Sequence, residues 1–443
     1  MSLVRPPPDV AARRRHRARP LRACALLAAL AGCVSAPTPG VSPDLLAALA
    51  DADTASTVPL MRQQGERFAG VPFLPGNRAD LLVDGPATFA AMQAAIATAH
   101  TRIDMESYEF DASEGAVFAD LLITAAHHGV TVNLIYDAWG ASETPSALFD
   151  RMRQGGVQVL EFNPMIPNER VPIEFNKRDH RKLLCVDGRL VITGGVNISH
   201  VYRNTAYTPG ADPDDQAWRD TDVRITGPVV AQFETYFMET WQQQNGPPLA
   251  PPPPTPPTHT GNLMIQAIDG APDSEQPLIY RTLLASMALA KRSIHLTTGF
   301  FVPTPDLKAA MIAAARRGVD VRIIVPGTSD STAALAAGRA DYDDLLDAGV
   351  RIYERQNRIL HAKTAVIDHA WSAIGSSNLD WRSAVWNNEI DAIILGTDFG
   401  AQMEAMFKSD QRASIRITFP IWHARGLGER FQEFRAKLIQ TLL

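Results

Sequence analysis

Two stretches of the chain alternate helical and strand-like patterns of apolar residues in the same order. Each has a strand-like run, then a helix that ends in a glycine and a β-branched strand, and then another helix and strand. Gly129 and Gly318 stand where a helix C-cap is expected. Alternation of this kind predicts α/β units, each with a largely buried sheet. The matching runs are 102–110 and 293–301, 125–135 and 314–324, and 156–160 and 349–353.

A proline-rich break separates the two stretches. Residues 247–260 hold a run of prolines, which favours neither a helix nor a central strand because proline lacks an amide N–H. The same order on both sides indicates an internal repeat. We therefore expect two similar α/β halves, 77–246 and 261–443, packed about a pseudo-twofold axis with the active site between them. Residues 33–76, rich in Pro, Ala, Ser and Thr, are predicted to form a tether.

The chain begins with a stretch typical of a secretion signal. Residues 1–32 combine an arginine-rich start with an apolar run too short to span a bilayer. The Leu-Ala-Gly-Cys sequence that ends at Cys33 resembles the lipobox of bacterial lipoproteins, in which the cysteine is acylated. We expect an exported lipoprotein held by lipidated Cys33 on a membrane, facing the periplasm, with the outer membrane as one option. Cys185 then remains alone, without a disulfide partner. An ordinary cleaved signal is the alternative.

The net charge of the chain indicates which kinds of partner it binds. The 443 residues carry a formal net charge of −6 with a pI near 6.0, so the overall positive charge typical of a nucleic-acid-binding protein is missing. We therefore expect no nucleic-acid partner. Seven lysines accompany 35 arginines, so a lysine that recurs at a fixed spacing is informative.

One spacing does recur: a histidine, a lysine two residues later and an aspartate five residues after that. The two copies stand 181 residues apart, and a later glycine and asparagine keep the same offset. Composition alone predicts about 0.01 occurrences of the three-residue pattern. Two copies in register therefore indicate a duplicated functional site. Its residues are His180, Lys182, Asp187, Gly194 and Asn197 in the first half and His361, Lys363, Asp368, Gly375 and Asn378 in the second.

These residue types suit the cleavage of a phosphodiester. In an extended chain, residues two apart project to one face, so the histidine and lysine of each motif point together. One neutral imidazole can attack phosphorus, and a second, protonated imidazole can donate to the leaving oxygen. The lysines and asparagines can bind the non-bridging oxygens. Because the lysines take the role that a metal fills elsewhere, we expect no metal and no cofactor.

The carboxylates are predicted to support the histidines rather than to transfer protons. Asp187 precedes a glycine between two strand-like runs, which indicates a hairpin turn, and Asp368 is its equivalent. Each imidazole also needs an acceptor for its second nitrogen. Asp220 and Glu389 stand in equivalent places, seven residues before a matched glycine; solvated strand-end acids are the alternative. Glu106 either lines the pocket or is a buried, hydrogen-bonded acid.

The duplicated motif and its following Gly-x-x-Asn resemble the phospholipase D superfamily over about residues 80–443. The segments that look like bacterial cardiolipin synthases are 180–198, 218–228, 375–383 and 433–443. The resemblance implies transfer of a phosphatidyl group from a phospholipid such as phosphatidylglycerol to the glycerol of another, through a phosphohistidine. It also implies that His180 is the nucleophile and His361 the acid. The residues alone do not distinguish the two histidines.

Three other functions remain open at this stage. A hydrolytic phospholipase D would differ only in that water attacks the phosphohistidine. A nuclease of the same superfamily is disfavoured by the expected lipid anchor and by the net acidity of the chain. A non-catalytic periplasmic lipoprotein is disfavoured because both motifs are intact. The sequence does not indicate the head group, the acceptor or the oligomeric state.

Overall fold

A computed structural model describes residues 57–165, 176–206, 216–250, 259–270 and 277–440. The predicted signal, the predicted lipidation site Cys33 and the first part of the predicted tether lie outside these residues. So do positions 251–258 of the proline-rich linker. All described residues belong to one compact unit.

The first half forms the alternating elements that its apolar pattern predicts. Gly129, with φ of 86°, follows the helix that it was expected to cap. The elements, preceded by helix α1 (Thr57–Ala69), are β1 (Leu74–Val83), α2 (Gly85–Ala97), β2 (Arg102–Ser107), α3 (Glu114–His127), β3 (Thr131–Asp137), α4 (Ser146–Gln154), β4 (Gln158–Phe162), β5 (Arg178–Asp179), β6 (Leu183–Val186), β7 (Leu190–Gly194), β8 (Thr221–Thr226) and α5 (Val230–Gln243).

The second half repeats the order of the main strands, with one more helix before β12, a short helix before β15 and a C-terminal segment, and without a counterpart of β5. Gly318, with φ of 89°, takes the place of Gly129. The elements are β9 (Leu263–Gly270), α6 (Leu278–Leu289), β10 (Ser293–Thr297), α7 (Pro305–Arg316), β11 (Asp320–Pro326), α8 (Thr332–Arg339), α9 (Tyr342–Asp347), β12 (Arg351–Arg355), β13 (Thr364–Ile367), β14 (Trp371–Gly375), α10 (Trp381–Val385), β15 (Asn387–Leu395), α11 (Thr397–Arg412), β16 (Ser414–Ile417), α12 (Phe419–His423) and α13 (Leu427–Lys437).

One continuous sheet runs through both halves. From one edge its strands follow the order β4-β3-β2-β6-β7-β8-β1, and β9-β15-β14-β13-β10-β11-β12-β16 completes it. The seven first-half strands in this order each have an equivalent at the same distance from the central antiparallel β1–β9 pair, whereas β5 lies off this path beside β15 and β16 is an extra edge strand. This mirrored order confirms two similar halves about a pseudo-twofold axis. It also brings the ends of β8 and β15, which carry the two candidate acids, close to the centre of the molecule.

The junction between the halves is packed with apolar side chains. Val223 of β8, Ile265 of β9 and Ile390 of β15 are fully buried in one cluster, together with Phe233 of α5 and Phe399 of α11. Burying side chains of this size stabilises the assembly by about 1.5–3 kcal/mol each. The two halves therefore share a core, and the active-site residues are carried on strands that this core holds together.

The prediction of a tether over 33–76 is wrong for residues 57–76. Helix α1 lies against α6 of the second half, and β1 begins at Leu74. Met61 and Phe73 are buried in the core of the second half. Of the five buried residues of this helix only Met61 and Ala69 are apolar, and its partner helix is more than 200 residues away in sequence. Local pattern could not reveal this contact.

Candidate active site

His180 and His361 are each placed by a strand of the opposite half. His180 follows β5, and its backbone N–H donates to the carbonyl oxygen of Asn388 in β15 at 2.9 Å. The backbone N–H of His361 donates to the carbonyl oxygen of Arg219, just before β8, at 2.8 Å. The two ring centroids are 6.4 Å apart, with the rings at 77° to each other. This separation leaves room for one phosphate group between the imidazoles.

Each histidine also takes its acidic partner from the opposite half. Nδ1 of His180 lies 3.0 Å from both carboxylate oxygens of Glu389. Nδ1 of His361 lies 2.7 Å from the carboxylate of Asp220. Both acids have no exposed surface, so the alternative of solvated strand-end acids is wrong. Because a carboxylate occupies Nδ1 in each ring, Nε2 is the nitrogen left to face a substrate.

The lysines of the two motifs lie beside these histidines. Each Nζ donates to the carbonyl oxygen of the histidine two residues earlier, and Nζ of Lys182 also lies 5.1 Å from the ring centroid of Tyr108. Both lysines are buried. Burial lowers the pKa of Lys182 to about 7, and the neighbouring charge of Lys363 adds to the shift. A phosphate oxygen between the two ammonium groups would compensate for this loss of hydration.

Asn197 and Asn378 present amide N–H groups to the same place. Their Oδ1 atoms accept the backbone N–H of Glu109 and of Phe300, each at 3.3 Å. Nδ2 of Asn197 is buried and has no hydrogen-bond partner of good geometry among the described residues, although the Asn197 side chain acts on the hydroxyl of Tyr202. A buried amide donor of this kind is suited to bind an oxygen atom. An anionic oxygen of a substrate would be such an atom.

Burial also sets the charge of the imidazoles. It lowers the pKa of His180 to about 4; Glu389 opposes the shift and Lys182 adds to it. Burial and Lys363 lower the pKa of His361 in the same way. Burial would raise the pKa of Glu389, but His180 and Lys182 outweigh it and hold that pKa at about 2. Near neutral pH the rings are therefore uncharged beside ionised acids, as attack by a neutral nitrogen requires.

The two motifs open into a cavity of about 330 Å³. Its wall contains residues that the sequence analysis did not identify. Equivalent positions in the two halves carry different side chains. The backbone N–H groups of Glu109 and Phe300 make equivalent hydrogen bonds to the two motif asparagines, yet one side chain is acidic and the other apolar. Burial raises the pKa of Glu109 to about 7, while Lys182 opposes the shift. The added wall residues include Tyr108, Glu109, Trp218, Phe300, Asp380 and Arg382.

A second asymmetry lies behind the histidines. The hydroxyl of Tyr202 lies 2.9 Å from Nδ1 of His361, whereas the hydroxyl of Ser383 donates to Glu389 at 2.7 Å. Tyr202 and Ser383 are again 181 residues apart. Extending the offset of the repeat five residues beyond the asparagines would therefore have identified both positions. The environments of the two histidines differ even though the motifs are the same.

The motif aspartates hold turns. Asp187 accepts the backbone N–H groups of residues 100–102, and Asp368 accepts those of residues 291–293. Both have positive φ, 54° and 50°, and neither lines the cavity. These contacts agree with the predicted structural role. Glu106 is buried 3.8 Å from Arg181 and does not line the cavity, so the interpretation of Glu106 as a pocket residue is wrong.

Comparison with known proteins identifies the family. Residues 92–241 and 283–411 match the family model described as "Cardiolipin synthase, PLD-like domain". The chain belongs to the phospholipase D superfamily. Cardiolipin synthase 2 of Bacillus anthracis is 32% identical over 369 residues, which cover 82% of this chain and 70% of that protein. Cardiolipin synthase of Geobacillus kaustophilus is 31% identical over 392 residues, which cover 87% of this chain and 76% of the relative.

A solved structure shares the phospholipase D fold of this chain. Phosphatidylserine synthase of Haemophilus influenzae superposes with a TM-score of 0.62 at 13% identity, covering 87% of this chain and 100% of that one. At this identity the likeness concerns the fold alone. Within the residues that the structure describes, no cluster of three His, Cys, Asp or Glu could hold a metal ion. Over the same residues, no helix has the length and hydropathy needed to cross a membrane.

Proposed function

We propose that this phosphatidyltransferase of the cardiolipin synthase type joins two molecules of phosphatidylglycerol to give cardiolipin and glycerol. The observation that carries the proposal is the pair of imidazoles that face each other across one cavity, each with a buried carboxylate on Nδ1. Such a pair provides a nucleophile on one side of a phosphorus atom and a proton donor on the other. The names of the relatives supply the lipid class.

In the first step, Nε2 of His180 attacks the phosphorus of phosphatidylglycerol. An N–P bond forms, the bond from phosphorus to the head-group oxygen breaks, and His361 gives its proton to the departing glycerol. Lys182 and Lys363 balance the charge that develops on the non-bridging oxygens. Burial and the charge of Lys363 lower the pKa of His361, so the free protein holds this proton weakly. The negative charge of the bound substrate favours the protonated form of His361.

In the second step, a hydroxyl of a second phosphatidylglycerol attacks the same phosphorus. His361, now neutral, accepts the hydroxyl proton, the N–P bond breaks, and His180 is restored. Asp220 favours the imidazolium form of His361 in both steps because its carboxylate lies against Nδ1. The two steps need no metal or other cofactor, because protons and charge are balanced by side chains of the chain itself.

The products of phosphatidylglycerol turnover test this function. Purified full-length protein would be incubated with phosphatidylglycerol that carries one label in the head-group glycerol and another in the acyl chains. We expect cardiolipin and free glycerol in equal amounts. Phosphatidic acid without cardiolipin would indicate hydrolysis, and cleavage of a nucleic-acid control alone would rule out both lipid reactions. The His361→Ala protein, prepared in the same way, controls for contaminating enzymes.

We further propose that the protein is exported and held on a membrane by a lipidated Cys33. The lipobox-like sequence before Cys33 supports this proposal, and several acyl chains together give stable attachment. The test is the Cys33→Ser variant expressed in a bacterial host. Wild-type protein should stay in the membrane fraction after a high-salt wash, whereas the variant should be released. Equal retention of both would contradict the anchor.

A further inference from the structure

Large exposed apolar side chains are concentrated at the C-terminal end of the described chain. Eleven such side chains occur on the described residues, and seven of them follow α11. A soluble protein rarely exposes a contiguous apolar surface unless something binds there. The seven are Ile415, Phe419, Ile421, Phe431, Phe434, Leu438 and Ile439.

Three of these side chains form one face, two on α13 and the third on Leu438, the residue that caps its C-terminal end. Phe431, Phe434 and Leu438 are 61%, 62% and 66% exposed, and their spacing of three and four residues places them in a row along the helix. Glu433 and Ala436, which lie on another side of the helix, are buried against the protein. The helix is therefore seated on the body by one side and presents an apolar row outward. We call Phe431, Phe434 and Leu438 the α13 row.

The segment that carries the α13 row is basic in sequence, and two exposed arginines flank the row. Residues 411–443 contain six Arg or Lys and two Glu, although the whole chain has a net charge of −6. Arg430 and Arg435 are exposed on α13 itself, and the guanidinium of Arg435 lies 6.0 Å from the ring centroid of Phe431. An apolar row flanked by arginines is typical of helices that lie in the interface of an anionic bilayer. Two copies of this basic face would repel each other.

Helix α13, which carries the α13 row, is one helix away from the wall of the active-site cavity. Helix α13 packs on α8, and Ala436 of α13 shares a cluster with Ala334 of α8 and with Phe300. Ala334 and Phe300 both line the cavity. Ion pairs fix the helix in this position: Lys437 with Asp341 at 2.7 Å, and Arg425 with Glu433. One helix therefore separates the exposed row from the space between the histidines.

We propose that the α13 row inserts into the interface of an anionic phospholipid bilayer, with Arg430 and Arg435 against its phosphates, and so holds the cavity at the lipid surface. The identity of the lipid rests on the proposed function, but the docking itself does not. The surface is separate from the proposed anchor at Cys33, which tethers the chain without orienting the cavity.

Vesicle binding tests the docking directly. All proteins would be full-length chains with Cys33→Ser, so that no acyl anchor contributes, and vesicles would contain phosphatidylcholine with or without phosphatidylglycerol. We expect the Phe431→Ser, Phe434→Ser, Leu438→Ser triple variant to bind phosphatidylglycerol vesicles about tenfold more weakly or worse. As a matched pair, Phe434→Ser should weaken binding, whereas Val117→Ser should not, because Val117 is 43% exposed but lies on α3 of the first half.

The arginines should contribute separately. Arg430→Gln with Arg435→Gln should weaken binding to phosphatidylglycerol vesicles by about fivefold for each charge, from about 1 kcal/mol per basic residue. The difference from the parent should shrink at high salt, because salt screens the attraction between exposed charges. Binding that does not depend on phosphatidylglycerol or on salt would contradict the assignment to an anionic bilayer.

Turnover separates docking from an effect on the cavity. The activity of the triple variant towards phosphatidylglycerol in vesicles should fall by the same factor as its vesicle binding. Its activity towards monomeric dihexanoyl phosphatidylglycerol should be unchanged, because this substrate reaches the cavity without a bilayer. Equal loss on both substrates, or vesicle binding equal to the parent, would overturn the proposal. If the parent protein is a dimer, the triple variant is a monomer, and both bind vesicles equally well, then the α13 row is instead the contact with a second copy of the chain. If the parent binds vesicles through the row yet consumes neither lipid, the proposed function fails and the docking stands.

Discussion

At the scale of single residues, the burial of His180 decides its charge. In the folded protein its pKa is about 4, against 6.5 in an exposed chain. The folded state therefore binds fewer protons than the unfolded chain between these two values. The contribution of neutral His180 to stability is complete above about pH 6.5 and is lost as the pH falls through about 4. A histidine with this shift is ready to attack phosphorus across the neutral range.

The pH dependence of kcat/KM follows from these shifts. We expect no loss of kcat/KM between about pH 7 and pH 5, because His180 stays neutral there. Above about pH 7 we expect a decline, since the substrate-free protein loses the positive charge of Lys182, whose pKa burial lowers to about 7, in addition to the proton that His361 must donate. Lys182→Arg should be less active and should decline less steeply, because arginine stays charged. An acidic limb near pH 6.5, or an unchanged basic limb in Lys182→Arg, would contradict the assignment.

The acids behind the imidazoles are tested by amide substitutions. Glu389→Gln and Asp220→Asn keep the shape of each side chain but remove the charge that favours the imidazolium, and each should lower kcat by about a hundredfold or more. Asp391→Asn and Asp222→Asn are matched controls two residues further along the same strands. Burial raises the pKa of these two acids to about 7 and 8, so their neutral amides should change kcat only a few-fold. Equal losses at all four positions would remove the special role of Glu389 and Asp220.

At the scale of elements, the repeat predicts most of each half and the motif hairpins in particular. Strands β6 and β7 pair in antiparallel register around Asp187, as the Asp-Gly turn indicates. The hairpin is predictable because its signal is local. Helix α1 is not, since most of its stabilisation comes from contact with α6, which no local pattern contains. The same reason hides the packing of α13 on α8.

The motif aspartate should matter for stability rather than for chemistry. Asp187→Ala removes the acceptor of three backbone N–H groups at the start of β2. It also places alanine at a positive φ, which alanine adopts less readily than aspartate. We expect the free energy of unfolding to fall by about 2 kcal/mol, measured by urea denaturation, with kcat per folded molecule unchanged. Asp187→Asn, which tolerates this φ and keeps one acceptor oxygen, should lose less stability. A folded Asp187→Ala protein with kcat reduced a hundredfold would show that the aspartate takes part in the reaction.

At the scale of the whole molecule, the site exists only because the sheet is continuous. The sequence identifies both histidines, both lysines and both asparagines because they recur at a fixed offset, and both acids because each stands seven residues before a matched glycine. It does not reveal that Glu389 serves His180 and that Asp220 serves His361. That pairing depends on the contact of β1 with β9 and of β5 with β15, and strand order between halves leaves no periodic signal. The unequal wall residues Glu109 and Phe300 are hidden for the same reason.

The central claim is that the two halves build one site in which His180 carries the phosphatidyl group. The most direct test is to mix full-length protein with phosphatidylglycerol labelled at phosphorus, to stop the reaction with alkali during the first turnover, and to map the labelled peptide. We expect an acid-labile, alkali-stable label on the peptide that contains His180, with no more than one phosphatidyl group per chain. Label on the His361 peptide would reverse the two roles. Turnover of the lipid with no labelled histidine would contradict the covalent mechanism.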